Sequence, residues 1–224
     1  MTNTLLTRIG GLCGAAYVLV AVVANDVVGS KSPDSTAGPH AIGTWWRSHP
    51  PTVGDWVGIG FELSALLLFP VFICSLAWVL GRAEGTRGTW LPSAVFGFGL
   101  LSAGIKLGSA APMFALAWRA RDMSDGLATA LVDMNGAAFL LTWALDAIVL
   151  AAAGSLILTT RCLPRWLGWW AVATAPLLLV VLPLGNDAPP TFLFALIWFL
   201  ATGITLARRP DRTVGFPAVV APSI

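Results

Sequence analysis

Three ionisable side chains lie inside long apolar stretches of this 224-residue chain. Glu62, Lys106 and Asp146 each occupy a different stretch. A charged side chain at bilayer depth costs about 2.5–3.5 kcal/mol on insertion scales, so such residues usually face a partner or a water-filled cavity. We therefore predict a catalytic or ligand-binding site here, with the two carboxylates as acid/base or binding groups and Lys106 as their counter-charge.

Each of the three residues also continues a polar stripe along its predicted helix. Asp55 and Glu62 are seven residues apart, which is nearly one helical face. The other two stripes are Ser102, Lys106 and Ser109 on one helix, and Asn135, Thr142 and Asp146 on another. Three stripes on consecutive helices predict a shared polar interior, with Asn25 and Asp26 at its mouth.

A second interpretation assigns the same charges to helix packing. Buried polar groups hold membrane helices together at about 0.6 kcal/mol per bond. The long lysine stem gives Lys106 the reach to pair with either Glu62 or Asp146. Lys106 also lies between Gly104 and Gly108, a small-xxx-small spacing that predicts a close helix approach.

Aromatic residues crowd the same three helices. Rings around convergent carboxylates suit a lipophilic ligand, and they attract cations through their faces. The alternative is that these rings face lipid or neighbouring helices, since apolar residues dominate membrane spans. The rings belong to Phe61, Phe69, Phe72, Trp78, Phe96, Phe98, Phe114, Phe139 and Trp143.

The composition predicts an all-α polytopic membrane protein. The chain is 57% hydrophobic and 11% charged, whereas soluble domains carry about 25% charged residues. There is too little polar material to cover a water-exposed surface of this size. The net charge of +2 implies no nucleic-acid partner, and the lipid bilayer is the expected environment.

Six apolar stretches are long enough to cross a hydrocarbon core of about 30 Å. They run over residues 9–28, 56–80, 91–118, 134–158, 166–184 and 191–207. We predict a bundle of six transmembrane helices forming one domain over residues 1–207, followed by a short, mobile cytoplasmic tail over 208–224. The first stretch is expected to be a retained helix and not a signal peptide, because no small-residue cleavage site clearly follows it.

The longest external segment, residues 29–54, contains a predicted interfacial helix. Ile42, Trp45, Trp46 and His49 recur at helical spacing, and tryptophan favours the membrane–water boundary. The Pro-Pro pair at 50–51 ends this helix.

The distribution of basic residues predicts a cell-membrane protein with both termini in the cytoplasm. On the side of the N-terminus lie Arg8, Arg82, Arg87, Arg161, Arg165, Arg208, Arg209 and Arg212. On the other side lie Lys31, Arg47, Arg119 and Arg121. Cys13, Cys74 and Cys162 then face the reducing side, so no structural disulfide is expected.

The sequence Leu-Pro-Arg-Trp-Leu-Gly-Trp-Trp at 163–170 opens the fifth predicted span. Pro164 suits a helix start, and the tryptophans suit an aromatic belt. The segment resembles a motif of a large bacterial family of six-helix membrane proteins whose domain is of unknown function. Trp45-Trp46-Arg47 and the turn at 82–85 are similar to the same family. The resemblance implies a fold and no activity.

Several kinds of chemistry lack their residues in this sequence. The two histidines, His40 and His49, both lie in the external segment, so no haem, zinc site or other cofactor is predicted. A glycine-rich phosphate loop and a Gly-x-Ser-x-Gly elbow are also missing.

Three hypotheses for function follow. The first is binding or transformation of a lipophilic small molecule at the polar site. The second is proton-coupled transport, which favours broken helices near the midplane, with Pro112 and Pro176 as the only prolines well inside spans. The third is a structural or accessory subunit, whose charged triad would be fully paired.

Overall fold

The computed structural model describes residues 3–24, 33, 36–187 and 190–208. These ranges are almost entirely helical and contain no strand, which confirms the predicted all-α class. The helices are α1 (Asn3–Val23), α2 (Pro39–Ser48), α3 (Val53–Glu84), α4 (Leu91–Arg119), α5 (Asp125–Thr160), α6 (Arg165–Val180) and α7 (Phe192–Ala207).

Five of these helices, α1, α3, α4, α5 and α6, are long and apolar enough to cross a membrane. The sixth apolar helix, α7, has 16 residues and is therefore about 24 Å long at 1.5 Å per residue. The fourth predicted span, residues 134–158, lies inside α5, which begins earlier, at Asp125. The Ser124 side chain caps α5 by accepting a hydrogen bond from the Leu127 N–H at 3.3 Å.

The six apolar helices form a ring. Going round it, α1 packs on α3, α3 on α4, α4 on α5, α5 on α6, α6 on α7, and α7 on α1, while α3 and α5 also touch. Successive helices of the ring run antiparallel. One end of the bundle carries α2 together with the starts of α3, α5 and α7. We call it the α2 end, and the other the opposite end.

Glycines bring helix backbones together near the opposite end. A Cβ atom on Gly11 of α1 or on Gly203 of α7 would run into the backbone of the facing helix. Gly154 of α5 and Gly168 of α6 make a similar close approach to each other's helix. These two crossings fix α1 on α7 and α5 on α6.

The predicted close approach at Gly104 and Gly108 was wrong. Both glycines are exposed, and nothing described lies within 4 Å of a Cβ placed on either of them. The spacing of four residues permits close packing, but these glycines face away from the helices that flank α4.

Segment 163–170 joins α6 to its neighbours. Pro164 is the N-cap of α6, and Leu167 and Gly168 are buried. The buried Trp198 of α7 donates a hydrogen bond from Nε1 to the Leu167 carbonyl at 2.8 Å. The tryptophans at 166 and 169 are at least half exposed, as a belt at a membrane boundary requires.

Prolines do not break the helices of this bundle. Pro112 lies inside α4 and Pro176 inside α6, and both helices continue through them. The expectation that these two were the only prolines well inside spans was wrong, because Pro70 lies inside α3. A membrane helix tolerates proline where neighbouring groups satisfy the freed backbone carbonyl.

The short helix α2 confirms the helix predicted after the first span. Its residues Ile42 and Trp46 are buried against Leu116 of α4 and Ala128 of α5, in a cluster separate from the main core. Arg47 Nη1 lies 2.6 Å from Asp125 Oδ1, and His40 Nδ1 lies 3.0 Å from Asp125 Oδ2. The helix is therefore held on the first turn of α5 by apolar contacts and by one carboxylate.

Candidate functional site

A cavity of about 570 Å³ opens between the helices in the half of the bundle next to α2. All six helices of the ring contribute to its wall. Small-molecule sites usually measure about 300–1,000 Å³. Its polar lining comes from Glu62, Lys106, Ser109, Asn135, Thr142 and Asp146. The predicted shared polar interior is thereby confirmed.

Asp146 and Lys106 form a buried ion pair in the wall of the cavity. Lys106 Nζ donates to Asp146 Oδ2 at 2.8 Å. The buried Ser102 hydroxyl donates to the other carboxylate oxygen, Oδ1, at 2.7 Å. The prediction that Lys106 pairs with a carboxylate is confirmed for Asp146, and both oxygens of that carboxylate already accept a hydrogen bond.

Two aromatic rings also approach the ammonium group of Lys106. Its Nζ lies 4.4 Å from the centre of the Phe69 ring and 5.9 Å from that of Tyr17. Ring faces carry negative potential, so each such contact stabilises a cation by about 0.5–2 kcal/mol. The lysine is therefore held by one carboxylate and two rings.

Glu62 lines the same cavity but does not join this pair. It is half-buried on α3, and within the described ranges its carboxylate makes no hydrogen bond or ion pair. The predicted triad thus separates into a closed pair and a lone carboxylate. With all three groups ionised, two carboxylates face one ammonium, and Glu62 carries the excess negative charge.

Other polar side chains of the cavity satisfy the backbone. Asn135 Nδ2 donates to the Ser109 carbonyl at 2.8 Å, which ties α5 to α4. Ser109 Oγ donates to the Lys106 carbonyl at 2.7 Å, and Thr142 Oγ1 donates to the Phe139 carbonyl at 2.6 Å. These groups therefore stabilise the wall, and Glu62 differs from them in having no partner there.

Five aromatic rings line the cavity, namely Tyr17, Phe139, Trp143, Phe192 and Phe199. Of the nine rings predicted from the sequence, the lining includes Phe139 and Trp143. The other seven lie elsewhere. Phe61, Trp78 and Phe96 are exposed, Phe69 and Phe72 are in the main core with Phe98 packed against it, and Phe114 stacks on Trp56.

The sequence reasoning missed Tyr17, Phe192 and Phe199 because it considered only the three helices that carry charges. α1 and α7 pack against each other and close the ring, which no local pattern reveals. Tyr17 offered a signal, since it is the only tyrosine of the chain and lies within an apolar stretch.

Trp143 contributes a polar atom as well as a ring. Its side chain stacks on Phe192 with ring centres 5.5 Å apart. Its Nε1 is buried and has no hydrogen-bond partner among the described residues. Buried polar groups are normally paired, so this indole N–H is available to donate a hydrogen bond to a ligand in the cavity.

Asp55, the outer residue of the stripe that contains Glu62, has a structural role. Asp55 does not line the cavity. Its carboxylate instead accepts hydrogen bonds from the Thr52 N–H and hydroxyl, both at 2.7 Å, in the cap of α3. Asn25 and Asp26, predicted at the mouth, lie outside the described residues.

Histidines and cysteines lie away from the cavity lining. His49 stacks on Trp45 with ring centres 4.7 Å apart, and His40 contacts Asp125. No disulfide joins Cys13, Cys74 and Cys162. In the part of the chain that the structure describes, no three His, Cys, Asp or Glu side chains group as metal ligands.

Comparisons of the chain with protein-family models, with curated proteins and with solved structures found no match. The resemblance of segment 163–170 to a six-helix bacterial family stays a prediction. Among the described residues, the site consists of a cavity with aromatic walls, a neutralised ion pair and one unpaired carboxylate.

Proposed function

We propose that this chain is a cell-membrane protein with six spans that binds a lipophilic small molecule in the cavity between its helices. The observation that carries the proposal is the combination of aromatic walls with the unpaired carboxylate of Glu62. Ligand sites are mostly apolar and contain a few polar groups that orient the ligand.

The proposed six spans include α7. It occupies a full place in the ring between α6 and α1, and a short hydrophobic helix is accommodated by local thinning of the bilayer. The four arginines Arg82, Arg87, Arg161 and Arg165 lie at the opposite end, which supports a cytoplasmic location for that end and for both termini.

Cysteine labelling tests this orientation. Two single-cysteine variants are made in a background without native cysteines: Ser48→Cys at the α2 end and Thr86→Cys at the opposite end. Intact cells that express each variant are treated with a membrane-impermeant maleimide. We expect labelling at 48 and none at 86 until the cells are opened. Labelling of position 86 alone on intact cells would reverse the proposed topology.

The ion pair and Glu62 are proposed to have different roles. Asp146 could act as a base only by breaking its bonds to Lys106 and Ser102, so we assign the pair to holding α4 on α5. Glu62 is left as the group that contacts the ligand or transfers a proton. An accessory subunit would favour a fully paired triad, and transport would favour broken helices, whereas α3, α4 and α6 run through their prolines.

Obstruction of the cavity tests ligand binding. The probe is triphenylphosphine oxide, a neutral lipophile, and the readout is the unfolding temperature of the protein in detergent. Val22 lines the cavity and is 40% exposed, while its neighbour Val23 is 42% exposed and does not line it. We expect the probe to raise the unfolding temperature of the wild type and of the Val23→Trp variant, because a ligand that binds only the folded state stabilises it. The Val22→Trp variant should show no such increase, because its cavity is obstructed. Equal stabilisation of both variants would place the probe elsewhere.

A further inference from the structure

We propose that the ligand of this cavity is a lipophilic cation and that Glu62 is its counter-ion. This inference rests on the proposed binding function and adds the charge of the ligand. The chemical class is a tertiary or quaternary ammonium, or an equivalent onium group, on a bulky apolar body.

The charges of the lining favour a cation over an anion. Lys106 is the only basic side chain of the described cavity lining, and Asp146 already neutralises it at 2.8 Å. The rings of Phe69 and Tyr17 also approach its ammonium group. An anionic ligand would therefore have to displace an internal carboxylate, whereas a cation finds Glu62 without a partner.

The aromatic walls favour the same choice. Five rings line the cavity, and ring faces attract onium groups, most strongly where water is excluded. The protein itself surrounds one cation in this way, since the Lys106 ammonium lies 4.4 Å from the Phe69 ring centre.

The half-buried position of the Glu62 carboxylate points in the same direction. An ionised carboxylate withdrawn from water without a partner is destabilised. A bound cation would relieve this cost at Glu62, while a neutral ligand would leave it in place. A protonated Glu62 would instead donate a hydrogen bond, and the cavity would then prefer neutral ligands. The experiment below distinguishes these two preferences.

Three aryl probes of similar bulk and different charge test the inference. They are tetraphenylphosphonium, neutral triphenylphosphine oxide and the tetraphenylborate anion. Binding is measured calorimetrically with the protein in nanodiscs, and the signal of protein-free nanodiscs is subtracted. We expect wild-type protein to bind the phosphonium at least tenfold more tightly than the oxide, and to bind the borate most weakly. The Glu62→Gln variant should bind phosphonium and oxide equally, with its affinity for the oxide unchanged.

Two further variants keep the test decisive. Glu84, at the other end of α3, does not line the cavity, so Glu84→Gln should keep the tenfold preference. If Glu62→Gln does not fold, Val22→Lys leaves Glu62 in place and adds a positive charge at the cavity wall. It should weaken phosphonium binding and strengthen borate binding, and Val23→Lys should do neither.

The outcomes distinguish the two proposals. Wild-type protein that binds the oxide as tightly as the phosphonium or more tightly, or a phosphonium preference that survives Glu62→Gln, overturns the cation inference and leaves ligand binding standing. Failure of all three probes to bind overturns the proposed function itself.

Discussion

The two halves of the bundle are held together by different contacts. Toward the opposite end, glycines let α1 meet α7 and α5 meet α6 at backbone distance. Toward α2, the helices enclose a cavity and are joined by polar bonds, namely Lys106 to Asp146 and Asn135 to the Ser109 carbonyl. The rings of Phe69, Phe72 and Phe199 pack between these two regions, with Phe69 and Phe199 centres 5.2 Å apart.

This difference indicates how a binding cavity can exist inside a small membrane bundle. In lipid, helices associate through close packing and hydrogen bonds, because the apolar surroundings give no hydrophobic driving force between them. The glycine crossings concentrate that packing in one half. The other half is then free to keep open space, provided that a few strong polar bonds hold its helices in place.

The largest expected effect comes from breaking the ion pair that holds the cavity half. Lys106→Met leaves the buried Asp146 carboxylate with Ser102 alone, and removal of one partner of a buried pair costs about 3–5 kcal/mol. Reversible unfolding in mixed micelles measures the loss. A Lys106→Met/Asp146→Leu double variant should recover most of it.

The control for this prediction uses the third charge. Lys106→Met/Glu62→Gln should be as unstable as Lys106→Met alone, because Glu62 and Lys106 form no ion pair in the structure. Coupling of more than about 0.5 kcal/mol between Lys106 and Glu62 in this double-mutant cycle would contradict the separation of pair and lone carboxylate.

The next effect tests the tightly packed half. Gly11→Leu should destabilise the protein by about 1–3 kcal/mol, because atoms inserted into a packed region force the backbone to shift. The atoms nearest to the new side chain are the Ala207 N and the Gly203 carbonyl oxygen of α7. Gly104→Leu is the matched control, because space around Gly104 is open. Equal losses at 11 and 104 would mean that the glycine crossing does not hold this half together.

These two glycines show where sequence reasoning about the fold stops. The pattern of Gly104 and Gly108 predicts close packing as well as any other pair, but a spacing does not say which face of the helix meets a neighbour. The crossing of Gly11 on Gly203 joins the first helix to the last. It depends on ring closure, which is set by all six helices together.

The site was predictable to a similar extent. Apolar stretches with isolated charges identified Glu62, Lys106 and Asp146, because ions are costly in hydrocarbon wherever the helices lie. Which acid meets Lys106 depends on the packing of α4 on α5, so the sequence left both acids open. The start of α5 was missed because residues 125–133 extend the helix beyond its apolar stretch, under a cap at Ser124.

A smaller effect is expected at the hydrogen bond between α6 and α7. Trp198→Phe keeps an aromatic ring in the core and removes the donor to the Leu167 carbonyl, which should cost about 0.5–1.5 kcal/mol. Because Trp198 is fully buried, the space left by the smaller ring adds to this loss. Trp169→Phe is the control, because Trp169 is 60% exposed. Urea or detergent unfolding of both variants gives the difference. No difference between them would show that segment 163–170 does not stabilise the packed half through this bond.

A local effect is expected where α2 meets α5. Asp125→Asn removes the carboxylate that binds both Arg47 and His40, so the amides of residues 39–48 should exchange hydrogen for deuterium faster. The unfolding temperature of the bundle should stay the same, because Ile42 and Trp46 pack in a separate cluster. Asp122→Asn serves as the control. Unchanged exchange in Asp125→Asn would show that the Asp125 carboxylate does not hold α2 in place.

The smallest effect on stability is expected at Glu62, and it distinguishes the roles of the two carboxylates of the cavity. Glu62→Gln removes no hydrogen bond or ion pair found in the described residues, so it should not lower the free energy of unfolding by more than about 0.5 kcal/mol. Asp146→Asn is the matched amide substitution, and it should cost several times more because it leaves Lys106 without its counter-ion. Both variants keep the shape of the side chain, so the comparison isolates charge from packing. A loss at Glu62 as large as that at Asp146 would mean that Glu62 has a structural partner, and its assignment as the ligand's counter-ion would then fail. If Glu62→Gln leaves stability unchanged and loses only the preference for phosphonium over the neutral oxide, then Glu62 serves the ligand while the Lys106–Asp146 pair serves the fold.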